Sequence, residues 1–427
     1  MKKATLFFSC LVAAAGLTSC GPTTTASPSA PEAHIPILAW GSVTNAENWK
    51  YATKEHYQEL RDAGFDYTYT WASNYDDAVH VLDMAAQVGM KAIFMCPKLK
   101  EAPEETVGKL KDHPGLGGWY LKDEPWDNEL EELGAWARRV ESVDTLHPCY
   151  INLLPSYCFT PEGYEKHLRL FSEKVALPQI SFDHYPVGEL GGKVVIWSTW
   201  YQNLELVRAE ARRTHKPFWA FALATAHTNP GLHVYVHPTP TEEDPAYPIP
   251  TIDQLRVQMY SNLAYGAQLL QYFTYWNPDT VEHHALGFHE APITMDGRRT
   301  PVYDLVRQMN EEIQRRAFVW AGCDVEDVAH LAEGDIPVGT KPLTVLPPHI
   351  RTLANVSGQG LVSTIRGGGA HRYVMLVNTS PAEPWYVNVT TDDGVQIISS
   401  DGTSTPANRY DKLHILSPGN CEVYEVE

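Results

Sequence analysis

The stretch Gly118-Trp119-Tyr120-Leu121-Lys122-Asp123-Glu124-Pro125 sets two carboxylates side by side at the end of an apolar run. Farther along, Ser181-Phe182-Asp183-His184-Tyr185-Pro186 ends another such run on an acid. Two carboxyls facing each other across a cleft can divide acid and base work. One stays protonated and donates to a leaving oxygen, while the other stays ionised as nucleophile or as base for water. Mutual repulsion and apolar walls separate their pKa values and so assign the roles. Plainer readings exist for both stretches. Asp123 and Glu124 suit the acidic first turn of a helix starting near Asp127, and Asp183 to Pro186 suits a turn holding an unusual peptide bond.

Such acids need rigid elements behind them, and the chain supplies a repeating set. From Ile35 to about Arg315 short apolar strands alternate with amphipathic helical runs. The strands read as 35–40, 65–71, 91–97, 117–125, 149–155, 179–186, 217–224 and 269–276. Leu130, Leu133, Ala137 and Val140 share one helical stripe after the fourth strand. Thr160 followed by Pro161 starts one helix, and Thr251 with Gln254 forms a capping box for another. Eight strands alternating with helices predict a (β/α)8 TIM barrel over 35–317. Beyond it, 318–427 loses its helical stripes. Short alternating runs such as Arg372–Asn378 and Cys421–Val426 predict a small C-terminal antiparallel β-sandwich.

Barrel active sites lie at the C-terminal strand ends, so side-chain alternation picks the inward residues. In the fourth strand this parity sends Tyr120, Lys122 and Glu124 inward and leaves Asp123 offset. In the sixth it sends Ser181, Asp183 and Tyr185 inward. Glu124 and Asp183 are therefore the candidate catalytic pair. Trp40, Trp71, Tyr275 and Trp276 end other strands and offer aromatic faces for a sugar. Asp123, Asn152, His184, Tyr185 and Glu290 complete the candidate substrate contacts. His227, His233 and His237 share a Pro- and His-rich insertion after the seventh strand and could bind a metal, but loop histidines without a carboxylate pattern more often serve substrate contacts or nothing. No metal-binding, P-loop, dinucleotide or nucleophile-elbow motif is present, and no cofactor is expected.

"YLKDEP", "SFDHYP" and "LAYGAQLLQYFTYW" resemble the TIM-barrel glycoside hydrolases, particularly the β-galactosidase-like clan A, over roughly Ile35 to Arg315. The resemblance implies that Glu124 is the acid/base ending the fourth strand, with Asp123 in place of the clan's usual Asn. It also makes Tyr185 the aromatic contact ending the sixth. The clan's nucleophile, a Glu ending the seventh strand, has no counterpart in "FWAFALATAH". Asp183 is the first choice for the second carboxylate, then Glu282 or Glu290. The α-galactosidase clan places its nucleophile on strand four and its acid on strand six, which would reverse Glu124 and Asp183.

The 427-residue chain carries a formal net charge of -19, so a nucleic-acid partner is excluded while a neutral carbohydrate is not. Lys2 and Lys3, the apolar run Leu6–Leu17 and Leu17-Thr18-Ser19-Cys20 read as a lipoprotein signal peptide (1–20) with lipid on Cys20. Residues 21–34 read as a Pro/Ser/Thr-rich tether. The expected location is an exported bacterial lipoprotein, membrane-anchored and periplasmic or cell-surface. Cysteines 96, 149, 158, 323 and 421 have no disulfide-framework or zinc spacing. The combined reading is a glycoside hydrolase, with a non-catalytic carbohydrate-binding lipoprotein as the alternative.

Overall fold

The computed structural model describes residues 33–43, 49–228, 246–278 and 287–427, apart from 370, 408 and 411. The signal, the tether up to residue 32, Glu282, His233 and His237 lie outside the described residues. Eight parallel strands close a barrel: β1 (Ile37–Trp40), β2 (Tyr67–Tyr69), β3 (Lys91–Phe94), β4 (Leu116–Asp123), β5 (Cys149–Leu153), β6 (Ile180–Phe182), β7 (Phe218–Leu223) and β8 (Leu269–Phe273). Each pairs with its sequence neighbours, and β8 closes on β1 through Ile37–Leu270 to Trp40–Phe273. Every strand expected from the sequence is present, and most stop sooner than their apolar runs. The trailing residues become the loops of the barrel mouth.

Alternation sorts the strand residues into two cores. Trp119, Cys149, Ile151, Ile180, Phe182, Ala220 and Leu270 pack outward against the helices. Leu38, Tyr69, Ile93, Tyr120, Tyr150 and Leu269 fill the interior, with Trp40 and Trp219 packed on them. The interior aromatics form a chain of ring contacts: Trp40–Tyr69 at 5.0 Å, Tyr69–Tyr120 at 4.6 Å, Tyr120–Tyr150 at 5.9 Å and Tyr150–Trp219 at 5.7 Å. Offset and tilted rings at such spacings add to the burial energy. This aromatic floor lies beneath the strand ends.

The helix signals behave as their chemistry requires. Thr160 caps the helix Pro161–Lys174 by accepting from the Gly163 N–H. Thr251 and Gln254 close a reciprocal capping box on the helix Ile252–Tyr265, which ends on left-handed Gly266. After β6 the hairpin Val187–Leu190 and Lys193–Ile196 joins His227–Thr228 and Ala246–Tyr247, which follow β7, in a four-stranded sheet. Loops from two neighbouring strands are thereby tied together beside the mouth.

The C-terminal part is a β-sandwich. Six strands lie in one sheet, Asp324–Ala332, Gln359–Arg366, Arg372–Asn378, Cys421–Glu425, Gln396–Ile398 and Ser404–Pro406 in spatial order. Three more, Ile350–Ser357, Trp385–Thr391 and Lys412–Leu416, form the second sheet. Val362, Val374, Leu376, Trp385, Val387 and Val389 fill the space between them. The opposite face of the larger sheet, with Leu361, Ile365, Met375 and Val423, merges into the barrel's outer core. Fully buried Arg316 anchors that seam, donating to Tyr260 Oη at 2.6 Å and to Cys421 Sγ at 3.3 Å. The sandwich thus buttresses the helix Ile252–Tyr265, which backs β7 and β8. All five described cysteines are free, Cys149 and Cys158 among them. Among the described residues no helix is long and apolar enough to cross a membrane.

Candidate active site

Strand β4 departs from simple alternation. Trp119 pairs with Cys149 and Tyr120 with Tyr150, but the next pairs are Lys122 with Ile151 and Asp123 with Asn152. Leu121 and Lys122 together oppose a single residue, which is a β-bulge. The bulge moves the parity by one. Lys122 leaves the interior and reaches Glu129 at 3.4 Å, while Asp123 turns inward beside Asn152. The expectation that Lys122 faces in and Asp123 stands offset is therefore wrong, because the extra residue resets the pleat.

Glu124 still reaches the mouth, by a different route from the one expected. Its backbone is left-handed, with φ 47°, and its N–H donates to the Asn152 carbonyl at 2.8 Å. A residue before proline ordinarily stays extended, and a left-handed non-glycine residue costs roughly 1–2 kcal/mol. Strain at this residue is the kind that marks a site where geometry is selected over comfort.

Asn152 joins the acids. Its Nδ2 donates to Asp123 Oδ1 at 3.2 Å and to Asp183 Oδ1 at 2.9 Å. The two aspartates thereby share a single amide nitrogen. Asp183 also accepts from the Tyr185 hydroxyl. Burial raises Asp183 well above the usual carboxylate range, and the charges of Glu124 and then Asp123 add to the rise; the Asn152 and Tyr185 donors oppose it. Burial pushes Asp123 up to about 6, against the Asn152 hydrogen bond and the Lys122 charge. Glu124 is pushed up to about 7, by desolvation in its recess first and the Asp123 charge second. Its side chain is exposed by surface area, so the recess acts without sealing it from water. Acids that act on one another in this way titrate as one unit, not singly.

The structure divides the remaining candidates. Trp40 belongs at the mouth, its ring against Tyr69, Phe221 and Phe273. Tyr185 stacks on Phe273 at 5.7 Å and meets Phe221 and Tyr247 edge-on. Trp71 is 55% exposed just beyond β2. Trp276 is 2% exposed and packs on Tyr51 and His56 in the outer core, and Tyr275 is fully buried against Phe65 and Tyr303. Neither presents a face to a sugar. They lie past the end of β8, where the chain has already turned into the helix layer. His184 points away from the acids, pairing with Thr199 Oγ1 at 3.0 Å, and burial lowers it to about 3. It supports the loop through Thr199.

Glu290 has left-handed backbone, φ 51°, and no hydrogen bond or ion pair among the described residues joins it to the acids. The non-proline cis peptide lies at Phe273–Thr274, not in the Asp183–Pro186 turn. His227 stacks on Phe288 at 4.3 Å, and among the described residues no group of His, Cys, Asp and Glu could hold a metal ion.

Sequence reasoning missed several neighbours. Tyr157, 52% exposed after β5, meets His184 edge-on at 5.1 Å. Its phenol is raised by desolvation and then by Tyr247, Asp183 and Glu124. Cys158 is raised to about 11 by burial and by the same two acids. Trp126, 50% exposed, follows Pro125 directly and leans on Phe159 at 5.4 Å. Aromatics within a few residues of an acidic strand end were the available signal for Trp126 and Tyr157. Gln271, in the barrel interior, had none beyond being polar in an apolar strand, whereas strand parity had already turned Ser181 inward.

No protein-family model matches the chain, and no curated protein is similar to it in sequence. Solved structures are similar in fold. One glycoside hydrolase superposes with a TM-score of 0.55 at 13% identity, over 92% of each chain. The chain shares this fold, a barrel followed by a β-sandwich, with that glycoside hydrolase. A family 39 glycoside hydrolase from the gut symbiont Bacteroides cellulosilyticus gives a TM-score of 0.50 at 12% identity, over 92% of this chain and 81% of that one. Each superposition covers 92% of this chain, at identities where the likeness is one of fold. In this barrel the inward residues of β7 are Trp219, Phe221 and Leu223, and no acid follows them up to His227.

Proposed function

We propose that the protein is a glycoside hydrolase cleaving O-glycosidic bonds of an oligo- or polysaccharide, with Glu124 as general acid and Asp183 as the second carboxylate. The observation that carries this reading is the convergence of Glu124 and Asp183 at one barrel mouth, with the Asn152 amide bridging Asp123 and Asp183. Glu124 has the solvent access and the value near 7 that suit a proton donor at neutral pH. Its charge is the leading electrostatic influence raising Asp183. A proton on Glu124 therefore favours an ionised Asp183, whose negative charge the Asn152 and Tyr185 donors stabilise. One shared proton separates acid from base.

In the reaction Glu124 passes its proton to the glycosidic oxygen as the C–O bond breaks, and the leaving sugar departs neutral. Asp183 stabilises the oxocarbenium-like centre, then either bonds to it or takes a proton from the attacking water. Separation of the two carboxyls by roughly 5–5.5 Å gives retention, and roughly 6.5–9.5 Å gives inversion. The NMR signal of the first-formed anomer distinguishes the two. Trp40 and Tyr185 supply faces for the sugar ring, and Asp123 a polar contact beside them.

The test is turnover on a panel of glycans, followed by Glu124→Gln. Hydrolysis by the parent protein with its loss in the variant supports the proposal; full turnover in the variant refutes it. The acid-free end of β7 favours a second reading, a carbohydrate-binding protein without catalysis. Binding without cleavage across the panel would support that reading. We also infer that the chain is exported and held on a membrane by lipid on Cys20, since Leu17–Cys20 has the form of a lipobox. Labelled fatty acid should enter the protein and not its Cys20→Ala variant.

A further inference from the structure

Behind the acids a buried polar chain crosses the barrel. Tyr150 Oη donates to Gln271 Oε1 at 2.7 Å, and Gln271 Nε2 donates to Ser181 Oγ at 2.8 Å. Ser181 Oγ donates to Asn152 Oδ1 at 3.0 Å, and Asn152 Nδ2 reaches Asp123 and Asp183. Tyr150, Ser181 and Gln271 have no solvent exposure. Gln271 sits on β8, which pairs with β1 and β7 and with neither β5 nor β6, so its side chain spans the interior to reach its partners. The surrounding floor is aromatic and aliphatic. Polar side chains in such a core are costly unless fully paired, and fully paired they fix one arrangement.

The direction of the chain follows from the acids. An ionised carboxylate only accepts, so Asn152 must turn its Nδ2 toward Asp123 and Asp183. Its Oδ1 then faces Ser181, which donates to it and accepts from Gln271 Nε2. Gln271 Oε1 is left to accept from Tyr150. Reversing the Gln271 amide would draw the Ser181 proton away from Asn152 and free the Asn152 amide to turn its oxygen toward the acids.

We propose that Ser181, Gln271 and Tyr150 are positioning residues that lock the Asn152 amide toward Asp123 and Asp183 and so hold Asp183 as a carboxylate. The assignment deepens the glycosidase reading, and rests on it for the role of Asp183. The titratable groups that share an electrostatic influence with Asp183 are the acids Asp123 and Glu124 at the end of β4, the phenols of Tyr150, Tyr157, Tyr164 and Tyr185, and the Cys158 thiol. The phenols and the thiol are all raised and stay neutral through the working range. Lys122 acts on Asp123 from the outer side. Only the two acids therefore titrate against Asp183.

Ser181→Ala removes the middle link, Ser181→Thr restores a hydroxyl, and Tyr150→Phe removes the far end. Thermal unfolding at about pH 5 and about pH 8 reads the effect without any substrate, since a donor to a carboxylate matters only where that carboxylate is ionised. Ser181→Ala should lose more Tm at the higher pH, with Thr restoring it and Tyr150→Phe giving a smaller loss of the same sign. On any glycan that the parent turns over, the acid limb of kcat/KM should rise by about one pH unit in Ser181→Ala, the worth of one hydrogen bond to a charge. An equal Tm loss at both pH values in Ser181→Ala, or in Tyr150→Phe if the first variant does not fold, would reduce the chain to a structural role and overturn the proposal. An unmoved acid limb would overturn it too, while leaving the glycosidase reading intact. A pH-dependent Tm loss without turnover on any glycan would uphold the positioning and discard the glycosidase reading.

Discussion

Replacing Glu124 by Gln keeps the size of the side chain and the left-handed backbone while removing the proton donor. Its consequences can be worked from the site. A positioned general acid contributes about 10²–10⁴-fold to the rate, most of it where the leaving group is a poor one. The variant should lose that factor on a natural glycan. It should lose much less on an aryl glycoside whose phenolate leaves without a proton. The pH profile should change as well. Glu124 lies near 7 and must be protonated to act, so parental activity falls as pH rises through that value, and the falling limb should vanish in the variant. Gln stands in for the protonated, uncharged Glu124, so the acid limb, which reports Asp183 beside a neutral Glu124, should stay where it is. Steady-state kinetics on paired substrates across pH test all of these. Equal losses on good and poor leaving groups would refute the acid assignment, and so would an unchanged alkaline limb.

Three further outcomes follow from the same cluster. Asp123→Asn should stabilise the protein above about pH 6 and leave it unchanged below about pH 4. Asp123 is raised from 3.8 to about 6, so the folded state holds its proton more tightly and loses stability as pH rises between those values. With partial solvent access discounted, the gain should be about 1–2 kcal/mol by denaturant titration; no gain at high pH would contradict the burial of this acid. Glu124→Gly should be more stable than Glu124→Ala by about 1 kcal/mol, because only glycine takes φ 47° without penalty; equal midpoints would dispute the strain. Finally, the site should discriminate against uronates. Residues 44–48, 229–245 and 279–286 contain no Lys or Arg, and Lys98, Lys100, Lys122, Arg298 and Arg299 are paired with Glu101, Glu132, Glu129, Asp296 and Glu59. One extra negative charge about 5 Å from the acids should cost about 3 kcal/mol at an effective dielectric near 20, or about 10²-fold in affinity. Comparable binding of neutral and uronate oligosaccharides by calorimetry would overturn the expectation.

Much of the scaffold was legible because its signals are local and periodic. Strand-length apolar runs, the Thr160-Pro161 start and the Thr251–Gln254 box each state their own structure, and the barrel follows from their order. The site was harder to read where position depends on something non-periodic. Parity placed Ser181, Asp183 and Tyr185 on the inward face of β6 and its extension, since no bulge intervenes there. It failed on β4, where one extra residue between Tyr120 and Lys122 resets the pleat and no residue type announces it. Trp276 and Tyr275 were misplaced for a related reason. The apolar run at 269–276 continues past the last strand pair at Phe273, and a run of hydrophobics does not mark where the strand becomes a loop.

The bulge also explains why two acids stand together at this strand end. With regular alternation, one of a neighbouring pair must face the helices, where a carboxylate would be buried among apolar side chains. The bulge turns Asp123 into the interior, and the left-handed Glu124 keeps its own carboxyl at the mouth one residue later. Adjacent acids can then both serve one cavity, at the cost of backbone strain, of burial that raises both, and of an Asp123 charge that raises Glu124 further. Asn152 is the compensating element: its single amide nitrogen satisfies Asp123 and Asp183 together, and the polar chain behind it keeps that nitrogen turned toward them. The β4 bulge, the left-handed Glu124 and the Asn152 chain therefore act as one device, in which each part would be a liability without the other two.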